Sequence, residues 1–285
     1  MFENTKVEDK YASKLKNIYK KHYEKCNIST KGLSKILDLD SFFINQYPDW
    51  YLIDDKLYYY KDYFIFNELF LSELIKEFNL KSVKYKLVKN GRMIGIVSKS
   101  FRDNESKYSD YNIYFHRKGI KVPRRLVDLD NELSKLLEEK NKIEIMNMFY
   151  RLTAFDIFVG QSDRSDANIV FKENDKTTLA PIFDNEFSFE DKYEYSSSFD
   201  KLYMPEKLYK GIIDNYNVYF FNLINNNKEL FKYLTKSLDI DINEALNRTI
   251  EKYHLLIPLS DRNKLINFID KRKKRIEYTL KLSQK

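Results

Sequence analysis

Between residues 7 and 25, Tyr11, Leu15, Ile18, Tyr19 and His22 recur at helical spacing on a basic background, which predicts an amphipathic helix. After Asp49 the pattern changes. Leu57-Tyr58-Tyr59-Tyr60-Lys61 is an aromatic run of the kind that favours a strand. Helical spacing returns from about Asn67 to Phe78, with Asn67 as the expected N-cap. Two apolar-rich runs, 82–88 and 92–98, then flank Asn90-Gly91. Both residues of that dipeptide tolerate positive φ, so a hairpin is expected there. The first hundred residues thus predict helix, strand, helix and hairpin.

Beyond Phe101 the pattern turns mostly helical, over 131–139, 142–158 and segments between Gly211 and Leu280. One island differs: Asn168 to Lys172, a polar turn at Glu173-Asn174-Asp175-Lys176, then Thr177 to Phe183, which predicts a second hairpin. No internal repeat or Pro- or Gly-rich linker separates the halves. The expected organisation is α+β and bilobal: a small N-terminal lobe over 1–101 and a larger helical lobe over 102–285, packed together.

Composition narrows the classes. At 285 residues, with 43% apolar and 33% charged positions, the chain has the balance of a globular protein with a real core. The net charge of +7 favours anionic partners, but the charges are mixed. The one dense basic run, Lys271-Arg272-Lys273-Lys274-Arg275, reads as a solvated helix face rather than a nucleic-acid patch. A single cysteine, Cys26, excludes an intramolecular disulfide and a multi-cysteine zinc site. His22, His116 and His254 have no ligand spacing. Met1-Phe2-Glu3-Asn4 lacks a signal peptide's apolar stretch. The apolar segment Ile143 to Val159 is broken by Glu144, Arg151 and Asp156, so it reads as a buried helix and no transmembrane segment is expected. A cytoplasmic location is expected, export without a cleaved signal being the alternative.

The chemistry concentrates in Gly160-Gln161-Ser162-Asp163-Arg164-Ser165-Asp166-Ala167-Asn168. A kinase catalytic loop sets an Asp five residues before an Asn, the first to position or deprotonate the attacking hydroxyl, the second to hold a metal ion. Asp163 and Asn168 have that spacing. A second carboxylate must join the Asn on the metal. If Asn168 opens the first strand of the second hairpin and Asp184 closes the other, the two meet at its open end, about 5 Å apart as antiparallel partners are. That distance suits a shared Mg2+ bridging ATP phosphates.

The small lobe should add a strand lysine for the α- and β-phosphates and a helix glutamate to hold it. Lys61 ends the Tyr-rich strand, with Lys56 its competitor. Glu68 opens the next helix on the face of Leu71 and Ile75, which turns it inward. Strand Ile94 to Ser98 leads toward the crossover, so backbone groups of Val97, Ser98 and Lys99 are placed to bond adenine.

These residues resemble HipA-like serine/threonine kinases. Gly160 to Asn168 is similar to their Gly-x-x-Asp-Arg-His-x-x-Asn loop, and Leu179-Ala180-Pro181-Ile182-Phe183-Asp184 to the Leu-Ala-Pro-x-Tyr-Asp segment that follows it. Asn67-Glu68, the helix to Leu80 and Gly95 to Phe101 extend the likeness, which runs from about residue 50 to 200. The resemblance implies a protein-kinase-like fold, an ATP cleft between the lobes, Asp163 as catalytic aspartate, Asn168 and Asp184 as metal ligands and Lys61 on the phosphates. It departs from the family at Ser165, where His is usual; Asn185-Glu186 stands in place of the Phe-Gly of other kinases, a pair that many relatives also lack. No Gly-rich loop precedes Lys61, so a loop near Asp38 to Gln46, with Ser41, is expected to hold phosphates instead. The small domain that precedes the kinase core in full-length HipA toxins has no counterpart, so a stand-alone member without a toxin–antitoxin role is expected.

The reading is therefore an ATP- and Mg2+-dependent kinase acting on protein Ser/Thr hydroxyls. Autophosphorylation is expected among Ser196, Ser197 and Ser198, in the segment 189–210 after Asp184. The alternatives are a pseudokinase-type module that binds nucleotide without transfer, and a kinase for lipid or other small alcohols, since phosphoinositide kinases share the Asp-Arg-x-x-x-Asn loop. A nucleic-acid-binding protein ranks last.

Overall fold

The computed structural model describes residues 27–28, 37–38, 50–53, 56–90, 93–103, 105–123, 126–161, 164–186, 188–189 and 227–283. The helix expected over 7–25, the loop with Ser41, Asp163 and the serines at 196–198 lie outside these residues.

Strands β1 (Asn27–Ile28), β2 (Leu37–Asp38), β3 (Trp50–Ile53) and β4 (Lys56–Lys61) precede helix α1 (Ile65–Leu74). A 3-10 turn at Ile75–Phe78 extends α1. Strands β5 (Tyr85–Asn90) and β6 (Met93–Lys99) follow, and five of these strands order as β2-β5-β6-β4-β3 in one sheet. The expected aromatic strand and hairpin are here, with one shift. Asn90 pairs with Met93, so Asn90 is the last residue of β5 rather than part of the turn.

At the second glycine of this region the backbone has no room for a side chain. A Cβ on Gly95 would lie 2.5 Å from the Tyr60 ring and 2.7 Å from the Lys61 carbonyl. This close approach lets β4 run beside β6 with Lys61 opposite Ile96.

Strand β7 (Lys107–Asp110) is not apparent from the sequence, because Lys-Tyr-Ser-Asp is short and polar. It pairs with β8 (Val170–Glu173), which forms the second hairpin with β9 (Thr177–Leu179). Behind this sheet lie α2 (Tyr111–Arg117), α3 (Leu126–Leu136) and α4 (Glu139–Val159). Every residue of α4 from Leu152 to Val159 is buried. Around it Tyr111, Tyr114, Phe115, Phe149 and Phe171 form an aromatic core, with the Tyr114 and Phe171 rings stacked 4.0 Å apart. Helices α5 (Lys228–Ser237) and α6 (Ile242–Tyr253), strand β10 (Leu255–Leu256) and helix α7 (Leu259–Ser283) complete the described residues. Tyr253 and Leu255 pack with Leu69, Val83, Tyr85, Leu87 and Ile96, so the C-terminal helices also brace the first sheet. No helix among the described residues is long and apolar enough to cross a membrane.

The basic run on α7 is not simply a solvated face. Arg272 is buried and donates to the Ile157 carbonyl, and Lys273 donates to the carbonyls of Leu238 and Ile240 at 2.9 and 2.6 Å. Two of its five cations thus satisfy backbone carbonyls of α4 and of the α5–α6 connection.

Candidate functional site

Lys61, at the end of β4, points its Nζ into a group of three carboxylates: Glu68 at 2.8 Å, Asp184 at 2.9 Å and Glu186 at 2.6 Å. An ammonium has three donors, and all three are used. The side chain is 7% exposed, and the Tyr63 ring lies 5.2 Å from its Nζ. Burial by itself would pull the Lys61 pKa down, but Glu68, then Asp184 and Glu186, hold it well above its ordinary value.

Glu68 reaches this position because α1 starts earlier than the sequence suggests. Phe64, in a left-handed conformation, is the N-cap, and Asn67 lies within the first turn. Asn67 is not a cap because its amide is engaged elsewhere. Its Nδ2 donates to the Glu186 carbonyl at 2.9 Å, and lies 3.4 Å from that of Ser188. The Glu68 carboxylate, fully buried, accepts from Lys61, from the Tyr85 hydroxyl at 3.0 Å and from the Asn185 N–H at 3.2 and 3.3 Å. Burial and the neighbouring Glu68 raise the Tyr85 phenol well above its usual range.

Asp184 arrives by a route that strand pairing does not foretell. Beyond Ala180, whose N–H donates to the Val170 carbonyl, the chain leaves β8. Ile182 instead pairs with the connection between α1 and β5, through Ile182 N–H to Lys81 O and Val83 N–H to Ile182 O. Asp184 therefore does not close β9 opposite Asn168, as the hairpin argument expects. It is carried across to Lys61, with φ at 60°. Asn168 is buried in a 3-10 turn, Asp166–Asn168, that precedes β8.

Of the three residues expected to meet adenine, two have their backbone groups within the sheet. The Ser100 N–H donates to Leu57 O, so by strand alternation Ser98 faces β4 and Val97 faces β5. The β5 pairing stops at Tyr85, opposite Ser98. Lys99 is the first residue of β6 whose backbone faces the side that β5 has left.

Three residues that sequence reasoning passes over complete the site. Glu186 is raised to about 7 by burial, with Asp184 adding to the rise and Lys61 opposing it. Arg164, fully buried, pairs with Asp156 on α4 through Nε and Nη2, at 3.1 and 3.0 Å. Gln161 donates to the Asp184 carbonyl at 3.0 Å. The signals are present in the chain: Asp156 is a charge inside an apolar helix and must have a partner, and Glu186 is two residues from Asp184 in Asp-Asn-Glu. Gly160 turns the chain from α4 into this loop with φ at 66°, where a Cβ would be 3.0 Å from the Phe268 ring.

The carboxylates of Glu68, Asp184 and Glu186 lie within 4.8 Å of one another. Hard oxygen donors of this kind suit Mg2+, and three carboxylates around one ammonium leave an excess of negative charge for a divalent cation to neutralise. The three differ in availability. Glu68 is sealed and bonded to three donor groups, and Glu186 is 11% exposed, whereas the Asp184 side chain is 32% exposed. The donor set fits a magnesium ion held through Asp184.

No protein-family model matches the sequence, and no curated protein does. Solved structures do. The Helicobacter pylori proinflammatory kinase CtkA aligns at a TM-score of 0.64 with 18% identity, covering 87% of this chain and 98% of CtkA. HipA of the Shewanella oneidensis MR-1 toxin–antitoxin system, in its complex with HipB and operator DNA, aligns at 0.52 with 14% identity; the match covers 78% of this chain and 58% of HipA. The likeness to HipA-like kinases read from Gly160–Asn168 and Leu179–Asp184 thus returns in three dimensions, and the chain has the kinase-like fold of CtkA.

Proposed function

We propose that this protein is a kinase that transfers the γ-phosphoryl group of ATP, with Mg2+, to serine or threonine hydroxyls of proteins, its own among them. The observation that carries the reading is Lys61, held between Glu68 and Asp184 at 2.8 and 2.9 Å on the fold of a kinase. In such sites a lysine steadied by a helix glutamate orients the α- and β-phosphates, and the neighbouring aspartate holds the metal.

Asp184 and Asn168 would hold the metal ion. When bound, it neutralises charge on the phosphates. Asp163 positions the acceptor hydroxyl and takes its proton, Lys61 orients the phosphates and Glu68 keeps Lys61 in place. The adenine edge meets the backbone near Lys99, and Ser41, outside the described residues, is the candidate to help hold the phosphates. The lobes divide at the crossover, 1–101 and 102–285. Because catalysis of this kind rests on positioning and charge neutralisation, the buried ionic frame around Lys61 supports it. Arg272 and Lys273 are engaged with backbone carbonyls, which argues against a nucleic-acid role for the basic run.

One observation favours a second reading. Glu186, at 2.6 Å, occupies a Lys61 donor that a phosphate oxygen needs. A chain that never releases it would bind partners without transferring phosphate. Turnover of γ-labelled ATP with Mg2+ separates the two. Label on the protein or on a generic protein acceptor, lost in Asp163→Ala and Asp184→Ala, supports the kinase. Mg2+-dependent ATP binding without transfer to protein, lipid headgroup or small-alcohol acceptors supports the module. No ATP binding at all would sink the site assignment.

A further inference from the structure

We propose that Arg164 is a positioning residue that sets the aim of the Asp184 carboxylate, anchored for this purpose by Asp156; the inference rests on the kinase reading above. Asp184 has a left-handed backbone, φ 60°, a conformation uncommon for a residue with a Cβ though open to Asp, and the surroundings hold it there. The enforcing contacts converge on the segment Phe183-Asp184-Asn185. The carbonyl before it, Phe183 O, accepts from Arg164 Nη1 at 2.8 Å. The Asp184 carbonyl accepts from Gln161 Nε2 at 3.0 Å. The Asn185 N–H donates to Glu68, and its Oδ1 accepts from Arg164 Nη2 at 2.6 Å. Arg164 therefore grips both neighbours of the metal-holding residue while leaving its carboxylate to face Lys61.

The guanidinium is held in turn. Asp156 Oδ1 and Oδ2 accept from Nη2 and Nε at 3.0 and 3.1 Å, and both side chains are fully buried. The planar fork makes four hydrogen bonds at once, two to Asp156, one to the Phe183 carbonyl and one to the Asn185 amide oxygen, in fixed directions that the three donors radiating from a lysine ammonium cannot reproduce. Arg164 also follows Asp163 directly in the chain. One buried cation thus ties the loop of the proposed catalytic aspartate to the segment of the proposed metal ligand, with the α4 helix as the fixed support.

The test uses the full chain with Mn2+ as the probe. Mn2+ affinity is measured by electron paramagnetic resonance in the presence of a non-hydrolysable ATP analogue, and unfolding midpoints are recorded in parallel. In Arg164→Lys, Mn2+ affinity is expected to fall tenfold or more and kcat with it, while affinity for the analogue without metal stays within twofold. A buried cavity variant elsewhere, Leu246→Ala in α6, is the control for lost stability alone and should keep Mn2+ affinity within twofold. Should Arg164→Lys not fold, Asn185→Ala, which removes one of the Arg164 contacts, carries the test with an expected loss of about threefold. Unchanged Mn2+ affinity in the folded variant, or the same loss in the Leu246→Ala control, overturns the proposal. A wild-type protein that binds the analogue but no Mn2+ overturns the metal site itself, and the positioning role falls with it.

Discussion

Glu68 accepts the Asn185 N–H with both carboxylate oxygens, at 3.2 and 3.3 Å, so α1 is bonded directly to the residue after Asp184. Lys61 and the proposed metal-binding segment therefore share one glutamate, and a change at any of them reaches the others.

Removing Lys61 should show this coupling. Lys61→Met leaves three carboxylates crowded without their cation, and breaking a buried ion pair from one side costs about 3–5 kcal/mol. Urea unfolding at neutral pH should show a loss of that order. Adding Glu186→Gln to Lys61→Met should restore part of it, since one of the repelling charges is gone. A strictly additive double variant would show that Glu186 is not coupled to Lys61.

Gly95 supports the position of Lys61. In Gly95→Ala the new methyl meets the Tyr60 ring and the Lys61 carbonyl; the carbonyl is backbone, so β4 must shift. A stability loss of about 1–3 kcal/mol is expected, typical of overpacking. ATP affinity should weaken with it. Unchanged stability and ATP affinity would mean that β4 accommodates the methyl without moving Lys61.

The clamp between α1 and α6 should be sensitive to acid. Glu73 bonds Lys252 and Lys76, and although burial works to raise its carboxyl, these bonds hold it below the ordinary value of 4.5. A carboxyl lowered in the folded state adds stability that is present above the unfolded pKa and disappears as pH falls through the folded one. The stability difference between wild type and Glu73→Gln, about 1 kcal/mol or less for a pair at the surface, should be flat from pH 7 to about pH 5. It should shrink below that. A difference that grows toward acid would contradict the assignment.

The two kinds of lysine and arginine on α7 should separate cleanly. Arg272→Ala leaves the buried Ile157 carbonyl without its charged donor; a loss of about 2–3 kcal/mol is expected. Lys274, exposed on the same helix, should change stability by less than about 0.5 kcal/mol on replacement with Ala. Thermal unfolding of the two variants side by side is sufficient. Equal effects would mean that Arg272 contributes no more than a surface cation.

Local pattern makes part of the site legible in the sequence. Lys61 and Glu68 are separated by seven residues, and a strand end followed by an inward helix face is enough to bring them together. The expected N-cap at Asn67 fails, because an amide suited to capping is drawn to carbonyls at Glu186 and Ser188, far along the chain. Strand β7 escapes notice because its side-chain pattern is polar, its stability coming from pairing with β8. The second hairpin forms as expected, yet the path after Ala180 differs. Ile182 finds its backbone partners near Ser82, and no spacing within 168–184 encodes that.

What the sequence by itself determined is what short-range forces govern: the aromatic strand, the α1 face, both hairpins, the buried α4 helix and the cluster of carboxylates around Gly160 to Asp184. These follow from side-chain periodicity and from turn residues, which act over a few residues at a time. Only the tertiary structure decided that Asp184 meets Lys61 across 123 residues, that Glu186 joins them and that Arg164 is sealed against Asp156. Those meetings depend on how two sheets and the helices between them pack, and the low-dielectric interior they create is what makes each buried charge require its partner.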